Sequence, residues 1–191
     1  NTAMVLGGRR SVASRINELT EGRLEKELAD SELFPKPVPF GQVCVTEGDV
    51  LPCQFVFHLS THGSLEEMVE AADDLESEEE LPQRIQIVLL SSIREGVQNL
   101  IQECESHELE SISFPLIGSG TLNLPKPLAI EVLVGSLTAH LNKNPPNSLR
   151  KILIVPPEEP VSLFLSDFLN QVEPLEPNPP PVFSEIMHKF S

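Results

Sequence analysis

The segment Gly118-Ser119-Gly120-Thr121-Leu122 carries the most specific chemical signal in this sequence. It follows an apolar run typical of a buried strand and precedes a stretch with helical spacing. Glycines at such a turn let backbone amides approach an anion closely, and phosphates bind there with help from nearby helix N-termini. Ser119 and Thr121 add hydroxyl donors. The pattern predicts contact with a phosphate-bearing ligand, and the alternative is a plain tight turn.

Histidines and cysteines offer no metal-binding pattern. His58 lies in the run Gln-Phe-Val-Phe-His-Leu at residues 54–59, which is typical of a strand, and we interpret it as a satisfied core or strand-end histidine. His58 and His62 have ligand-like spacing only on a helix. No Cys/His cluster matches a zinc site, so the sequence predicts no metal and no cofactor.

Nucleophilic catalysis also lacks its usual residue pattern. Ser119 stands in Gly-Ser-Gly rather than in a Gly-x-Ser-x-Gly elbow, and no base accompanies it. Cys104 lies between Glu103 and Glu105, which disfavour its thiolate. The residues therefore predict no catalytic group.

The composition narrows the possible partners. The 191 residues carry 13 Lys+Arg against 29 Asp+Glu, a formal net charge of −16, which argues against direct binding of nucleic acid. No apolar run approaches the roughly 20 residues needed to span a bilayer, and no signal peptide is visible, so no membrane contact is expected. We interpret the three cysteines as reduced core thiols of an intracellular protein, namely Cys44, Cys53 and Cys104.

An acidic segment covers residues 66–80, with nine acidic and no basic side chains. Its simplest interpretation is a solvated loop or helix face, and the alternative is a docking surface for a basic partner. Like charge at this density would repel a polyanion unless it lay far from the ligand site.

Periodicity gives the order of elements that must position the glycine segment. Residues 85–104 form the clearest helix, and the alternation of strands and helices is that of a layered α/β sheet. Predicted helices cover residues 11–29, 85–104, 127–141 and 161–172, and predicted strands cover residues 42–46, 54–59, 111–117 and 151–155.

The sequence then divides into a globular part and a tail. Residues 1–171 are predicted to form one domain, and residues 172–191 a proline-rich tail or linker to a following module. Because the chain starts at Asn1 rather than Met, we expect it to be part of a longer protein.

Phe-Pro-Leu-Ile-Gly-Ser-Gly at residues 114–120, followed by Leu-Pro-Lys-Pro and a helix, resembles the second phosphate loop of a macrodomain. Residues 41–48 and 51–58 resemble the strands that precede it in that family. The resemblance implies a three-layer α/β/α fold with a mixed sheet flanked by helices, from which the amino-terminal strands are missing or truncated. It also implies an ADP-ribose site at the strand ends.

The family's first phosphate loop corresponds to the start of this chain. Ser11 and Val12 stand at the helix start that would contact the phosphates, but Arg10 and Ser11 replace expected glycines, unless a short insertion displaces Gly7 and Gly8. Met4 replaces an asparagine expected near the distal ribose. Bulky side chains would obstruct a diphosphate, whereas the alternative is that Arg9 or Arg10 pairs with phosphate directly.

Three functions remain open at this point. The resemblance implies a non-catalytic, possibly degenerate module that recognises ADP-ribose or mono- or poly-ADP-ribosylated proteins, of the kind built into multi-domain poly(ADP-ribose) polymerase superfamily proteins of the nucleus or cytoplasm. The second is a protein-interaction domain that has lost nucleotide binding. The third is an ADP-ribosyl hydrolase, against which Met4 and the altered first loop count.

Overall fold

The computed structural model describes residues 12–31, 38–61, 65–75, 80–120, 122, 124–155 and 166. The chain divides into two compact units, residues 1–100 and residues 101–191. Helices and strands alternate, and the strands pair antiparallel in the first unit and parallel in the second. The structure thus has the predicted α/β class, with one antiparallel and one parallel pair of strands among the described residues. The predicted helix at 161–172 and the tail at 172–191 lie almost entirely outside the described residues.

The first unit begins with two short helices, α1 (Val12–Leu19) and α2 (Arg23–Asp30). The prediction of one continuous helix over residues 11–29 is therefore wrong, because two helices occupy this range. Glu21 has φ 52°, and the amides of Glu21 and Gly22 donate back to the carbonyls of Glu18 and Asn17. This is a Schellman motif, which ends a helix by satisfying its last carbonyls.

Strands β1 (Val43–Glu47) and β2 (Phe55–Leu59) form an antiparallel pair in which Cys44 lies opposite His58. Their β-branched and aromatic residues favour this pairing. Buried His58 shares a hydrogen bond of 2.9 Å with the hydroxyl of Thr46, from the neighbouring strand. The prediction of a satisfied strand histidine is confirmed.

Helices α3 (Leu65–Asp73) and α4 (Leu81–Ser106) follow. Arg84 ties them together, since its guanidinium donates to the carbonyl of Ala72 and lies 3.1 Å from the carboxylate of Asp73. Helix α4 is longer by several residues than the helix predicted at 85–104. Within the acidic segment, Glu70, Asp73 and Asp74 are exposed, as expected of a solvated face, and residues 76–79 lie outside the described ranges.

The second unit holds β3 (Ser111–Pro115), α5 (Lys126–Lys143) and β4 (Lys151–Val155). The two strands are parallel, with Phe114 opposite Ile154, and each buries alternate residues. Helix α5 connects them, as parallel strands require. It is buried on most of its circumference, and truncating one of its leucines, such as Leu137, would cost about 2 to 5 kcal/mol. The buried residues of α5 are Ala129, Ile130, Val132, Leu133, Val134, Ser136, Leu137, His140 and Leu141.

The three cysteines are free thiols, as predicted, but they do not share one environment. Cys44 and Cys104 are buried, whereas Cys53 is exposed, so the prediction of three core thiols is wrong for Cys53. The reason is its position in the connection between β1 and β2, where the Cys53 amide donates to the carbonyl of Leu51 in a surface turn.

Candidate functional site

The glycine segment begins where β3 ends. Leu116 is buried, and the chain turns at Gly118, whose φ of 88° falls in the left-handed region that favours glycine. The amide of Leu124 donates to the carbonyl of Gly118 at 3.0 Å and closes the loop. We call residues 118–122 the glycine loop. Its place at the carboxyl end of a parallel strand is where α/β sheets bind ligands.

Ser119 is held by one carbonyl through two hydrogen bonds. Its amide donates to the carbonyl of Leu116 at 3.2 Å, and its hydroxyl donates to the same oxygen at 2.7 Å. The hydroxyl proton is thus already used, so Ser119 offers a ligand its oxygen lone pairs unless this bond is broken. The main effect of Ser119 is to shape the loop.

Gly118 and Gly120 supply the loop's open donors. Among the described residues, neither amide donates a hydrogen bond to any acceptor. Gly120 is exposed, and a Cβ placed on it would meet no atom within 4 Å. Two unpaired amides beside open space are the arrangement in which a backbone binds an oxyanion.

Helix α5 starts just after this loop. Pro125 precedes the helix and Pro127 lies in its first turn, which also contains Lys126 and no acidic residue. The partial positive charge of the helix N-terminus is therefore not neutralised by a local carboxylate. The open amides of the glycine loop and the positive N-terminus of α5 both favour an anion near this loop.

The predicted site residues fall on different parts of the structure. Leu122 is half-buried in the second unit with Gly118, Ser119 and Gly120, whereas Val12 is the first residue of α1 in the first unit and is exposed. Thr121 and Ser11 lie outside the described residues, as does the rest of the predicted first loop. The assignment of these residues to ligand binding stays a prediction.

Two residues that flank the glycine loop were missed by the motif. The Leu116 carbonyl accepts both Ser119 bonds, and the Leu124 amide closes the loop. Both act through their backbones, and their side chains are buried. The available sequence signal is an apolar residue on either side of a glycine segment, which anchors the loop on the core.

Two titratable groups that the sequence singled out, His58 and Cys104, are buried away from the glycine loop. Burial lowers the pKa of His58 to about 4, so its ring is neutral at pH 7. Burial, helped by the charges of Glu105 and Glu103, raises the pKa of the Cys104 thiol to about 12, which agrees with the prediction of a poor nucleophile. Over the described ranges no group of three or more His, Cys, Asp or Glu could hold a metal ion, and no helix there is long and apolar enough to cross a membrane.

The arrangement of strand, glycine loop and helix defines a class of fold. The family model described as Macro domain matches residues 88–133, which run from α4 through β3 and the glycine loop into α5. The Oceanobacillus iheyensis macrodomain with ADP superimposes with a TM-score of 0.64 at 19% identity, over 89% of this chain and 80% of that one. The chain therefore has the macrodomain fold, and the predicted resemblance and fold class are confirmed.

Individual relatives resemble the chain in structure or in sequence. The Trypanosoma brucei macrodomain in complex with ADP-ribose matches with a TM-score of 0.63 at 17% identity, over 87% of this chain and 60% of that one. In sequence, the mouse (Mus musculus) protein mono-ADP-ribosyltransferase PARP9 is 26% identical over 146 residues. Those residues are 76% of this chain, and they span only 14% of the mouse protein's length.

Proposed function

We propose that this domain binds ADP-ribose, free or attached to a protein, and that it does so without catalysis. The observation that carries the proposal is the pair of unpaired amides at Gly118 and Gly120 on an open turn after β3. Fold relatives solved with ADP and with ADP-ribose support the choice of ligand. A diphosphate would lie against these amides and the N-terminus of α5.

The chemistry of the loop favours binding over hydrolysis. The Ser119 hydroxyl donates to a backbone carbonyl and not to a side-chain base, so it is not arranged as an activated nucleophile. Met4, where the family keeps an asparagine, argues in the same direction. We infer that the domain reads ADP-ribosylation for a longer intracellular protein.

The test is calorimetric titration of ADP-ribose into the purified protein and two variants. Gly120→Glu places a carboxylate beside the proposed phosphate position, in space that the structure leaves empty. Gly135→Glu is the matched control. Gly135 is also exposed with nothing within 4 Å of a Cβ, but it lies in the middle of α5. The two variants therefore have the same net charge and comparable expected stability.

The expected result is binding by the parent and by Gly135→Glu, and a loss of about a hundredfold or more in affinity for Gly120→Glu, because like charges would meet at close range. Equal affinities for the two variants would place the ligand elsewhere. No heat with any of the three proteins, each shown to be folded by circular dichroism, would reject ADP-ribose recognition and favour the protein-interaction alternative.

A further inference from the structure

A cleft lies in the second unit, away from the glycine loop. Its volume is about 330 Å³, and it is lined by Gln102 and Glu105 of α4, by His140 of α5, and by the loop that contains Asn144, Asn147 and two prolines. This is at the lower end of the size range of small-molecule sites.

The cleft and the glycine loop lie at opposite ends of the β3–β4 pair. The glycine loop follows the carboxyl end of β3, whereas residues 144–150 lead into the amino end of β4. Because the two strands are parallel, their carboxyl ends share one edge and their amino ends share the other. A ligand in the cleft would therefore not overlap a phosphate on the glycine loop.

His140 is the residue that points to a ligand. It is 9% exposed, and its ring makes no hydrogen bond to any residue within the described ranges. Its backbone is satisfied, since the Asn144 amide donates to the His140 carbonyl at 2.8 Å. Although most of the residue is covered, its ring nitrogens reach the solvent of the cleft. An imidazole that lines a cleft and has no protein partner there is available to hydrogen-bond a ligand in place of water.

The charge of the cleft restricts what can bind. Burial, together with the positive charge of Lys143, lowers the pKa of His140, so the ring is neutral at pH 7 and presents one donor and one acceptor. The Glu105 carboxylate already accepts hydrogen bonds from the amides of residues 147–149 and from the Ser148 hydroxyl. The other polar side chains of the lining are uncharged amides.

We propose that this cleft binds a small uncharged carboxamide. A carboxamide presents N–H donors and a carbonyl acceptor side by side, which complements the imidazole of His140 and the side-chain amides of Gln102 and Asn144. The prolines and Ile101 offer apolar surface to the rest of such a molecule. The site is independent of ADP-ribose binding.

Three isosteric probes of different charge test the proposal, namely phenylacetamide, phenylacetate and 2-phenylacetamidine. Each is titrated into the isotopically labelled protein, and amide and imidazole chemical shifts are followed by NMR. We expect phenylacetamide to shift the resonances of His140 and Gln102 in a saturable way. The two ions should bind roughly tenfold more weakly or worse, because each loses at least one hydrogen bond and must give up its hydration.

Two asparagine variants locate the site. Asn144→Ala should weaken phenylacetamide binding by roughly tenfold through one lost hydrogen bond, whereas Asn142→Ala, an exposed residue of α5 outside the lining, should leave it unchanged. Any of four results would overturn the proposal: tighter binding of either ion, equal binding of all three probes, no saturable shift at the solubility limit, or loss of the signal on adding ADP-ribose. Because the probes and the readout do not involve ADP-ribose, the experiment tests the cleft separately from the proposed function.

Discussion

The carboxylate of Glu105, in the last turn of α4, accepts a hydrogen bond of 2.9 Å from the hydroxyl of Ser148, 43 residues along the chain. It also accepts from three successive amides, those of Asn147, Ser148 and Leu149, at 2.6 to 3.2 Å. Burial alone would raise the pKa of Glu105, but these hydrogen bonds outweigh it and lower the pKa. The end of α4 is thus fixed to the segment that begins β4.

Replacing Glu105 should therefore lower the stability of the domain. In Glu105→Gln, an NH₂ group would face backbone donors, and we expect a loss of about 2 to 3 kcal/mol in the free energy of unfolding. Glu103→Gln is the control, because its exposed contacts with Ser106 and His107 are worth less than about 1 kcal/mol. Urea unfolding measures both. Equal stabilities of the two variants would show that the carboxylate is not an anchor.

The His58–Thr46 pair predicts a pH dependence of stability. The pKa of His58 is depressed to about 4 in the folded state, from 6.5 for an unperturbed histidine. The unfolded chain therefore binds more protons between these values, and stability is lost as the pH falls from about 6.5 towards 4. The full difference in the pKa of His58 between the folded and unfolded states corresponds to roughly 3 kcal/mol in the free energy of unfolding.

Urea unfolding at several pH values tests this linkage. In His58→Gln the stability curve should be flatter between pH 6.5 and 4 than in the parent, whatever its absolute level. His107→Gln, which removes an exposed histidine, should keep the slope of the parent. A parent slope that survives in His58→Gln would assign the acid sensitivity to other groups.

Regular elements were predictable from sequence because burial imposes a period on the chain. The spacing of residues 85–104 identified α4, and residues 151–155 were predicted as a strand with the bounds that β4 has. The single helix over 11–29 failed because Leu24 follows Leu19 by five positions, a step that takes the apolar face out of phase. That gap marks the Schellman turn, in which both Glu21 and Gly22 are left-handed.

The candidate site was only partly accessible to sequence reasoning. The glycine loop carries a local signal, since Gly118 has the left-handed conformation that its residue type favours. The cleft around His140 has no such signal. It is formed by side chains about 40 residues apart, and neither the place of His140 in its lining nor the donors around Glu105 can be inferred without the tertiary structure.

The two glycines of the loop should respond differently to the same substitution. Gly118→Ala forces a Cβ into the left-handed region and should cost about 1 to 2 kcal/mol of stability. In Gly120→Ala the added Cβ would lie in open space, and residue 120 has no positive φ. The stability of this variant should therefore stay within about 0.5 kcal/mol of the parent. Thermal or urea unfolding of the pair measures the difference. Equal destabilisation would mean that Gly120 is also conformationally constrained.

The three thiols should differ in reactivity in the native protein. Burial raises the pKa of Cys44 to about 11 and that of Cys104 to about 12, whereas Cys53 is exposed. Because the thiolate is the reactive form, Cys53 alone should react rapidly with a thiol reagent at pH 8. Its rate should be below that of a free thiol, since partial burial raises its pKa too. Mass spectrometry should find one alkylated site in the folded protein, three in urea, and none in folded Cys53→Ser. Rapid labelling of Cys104 in the native protein would show that α4 opens at its carboxyl end far more often than its packing implies.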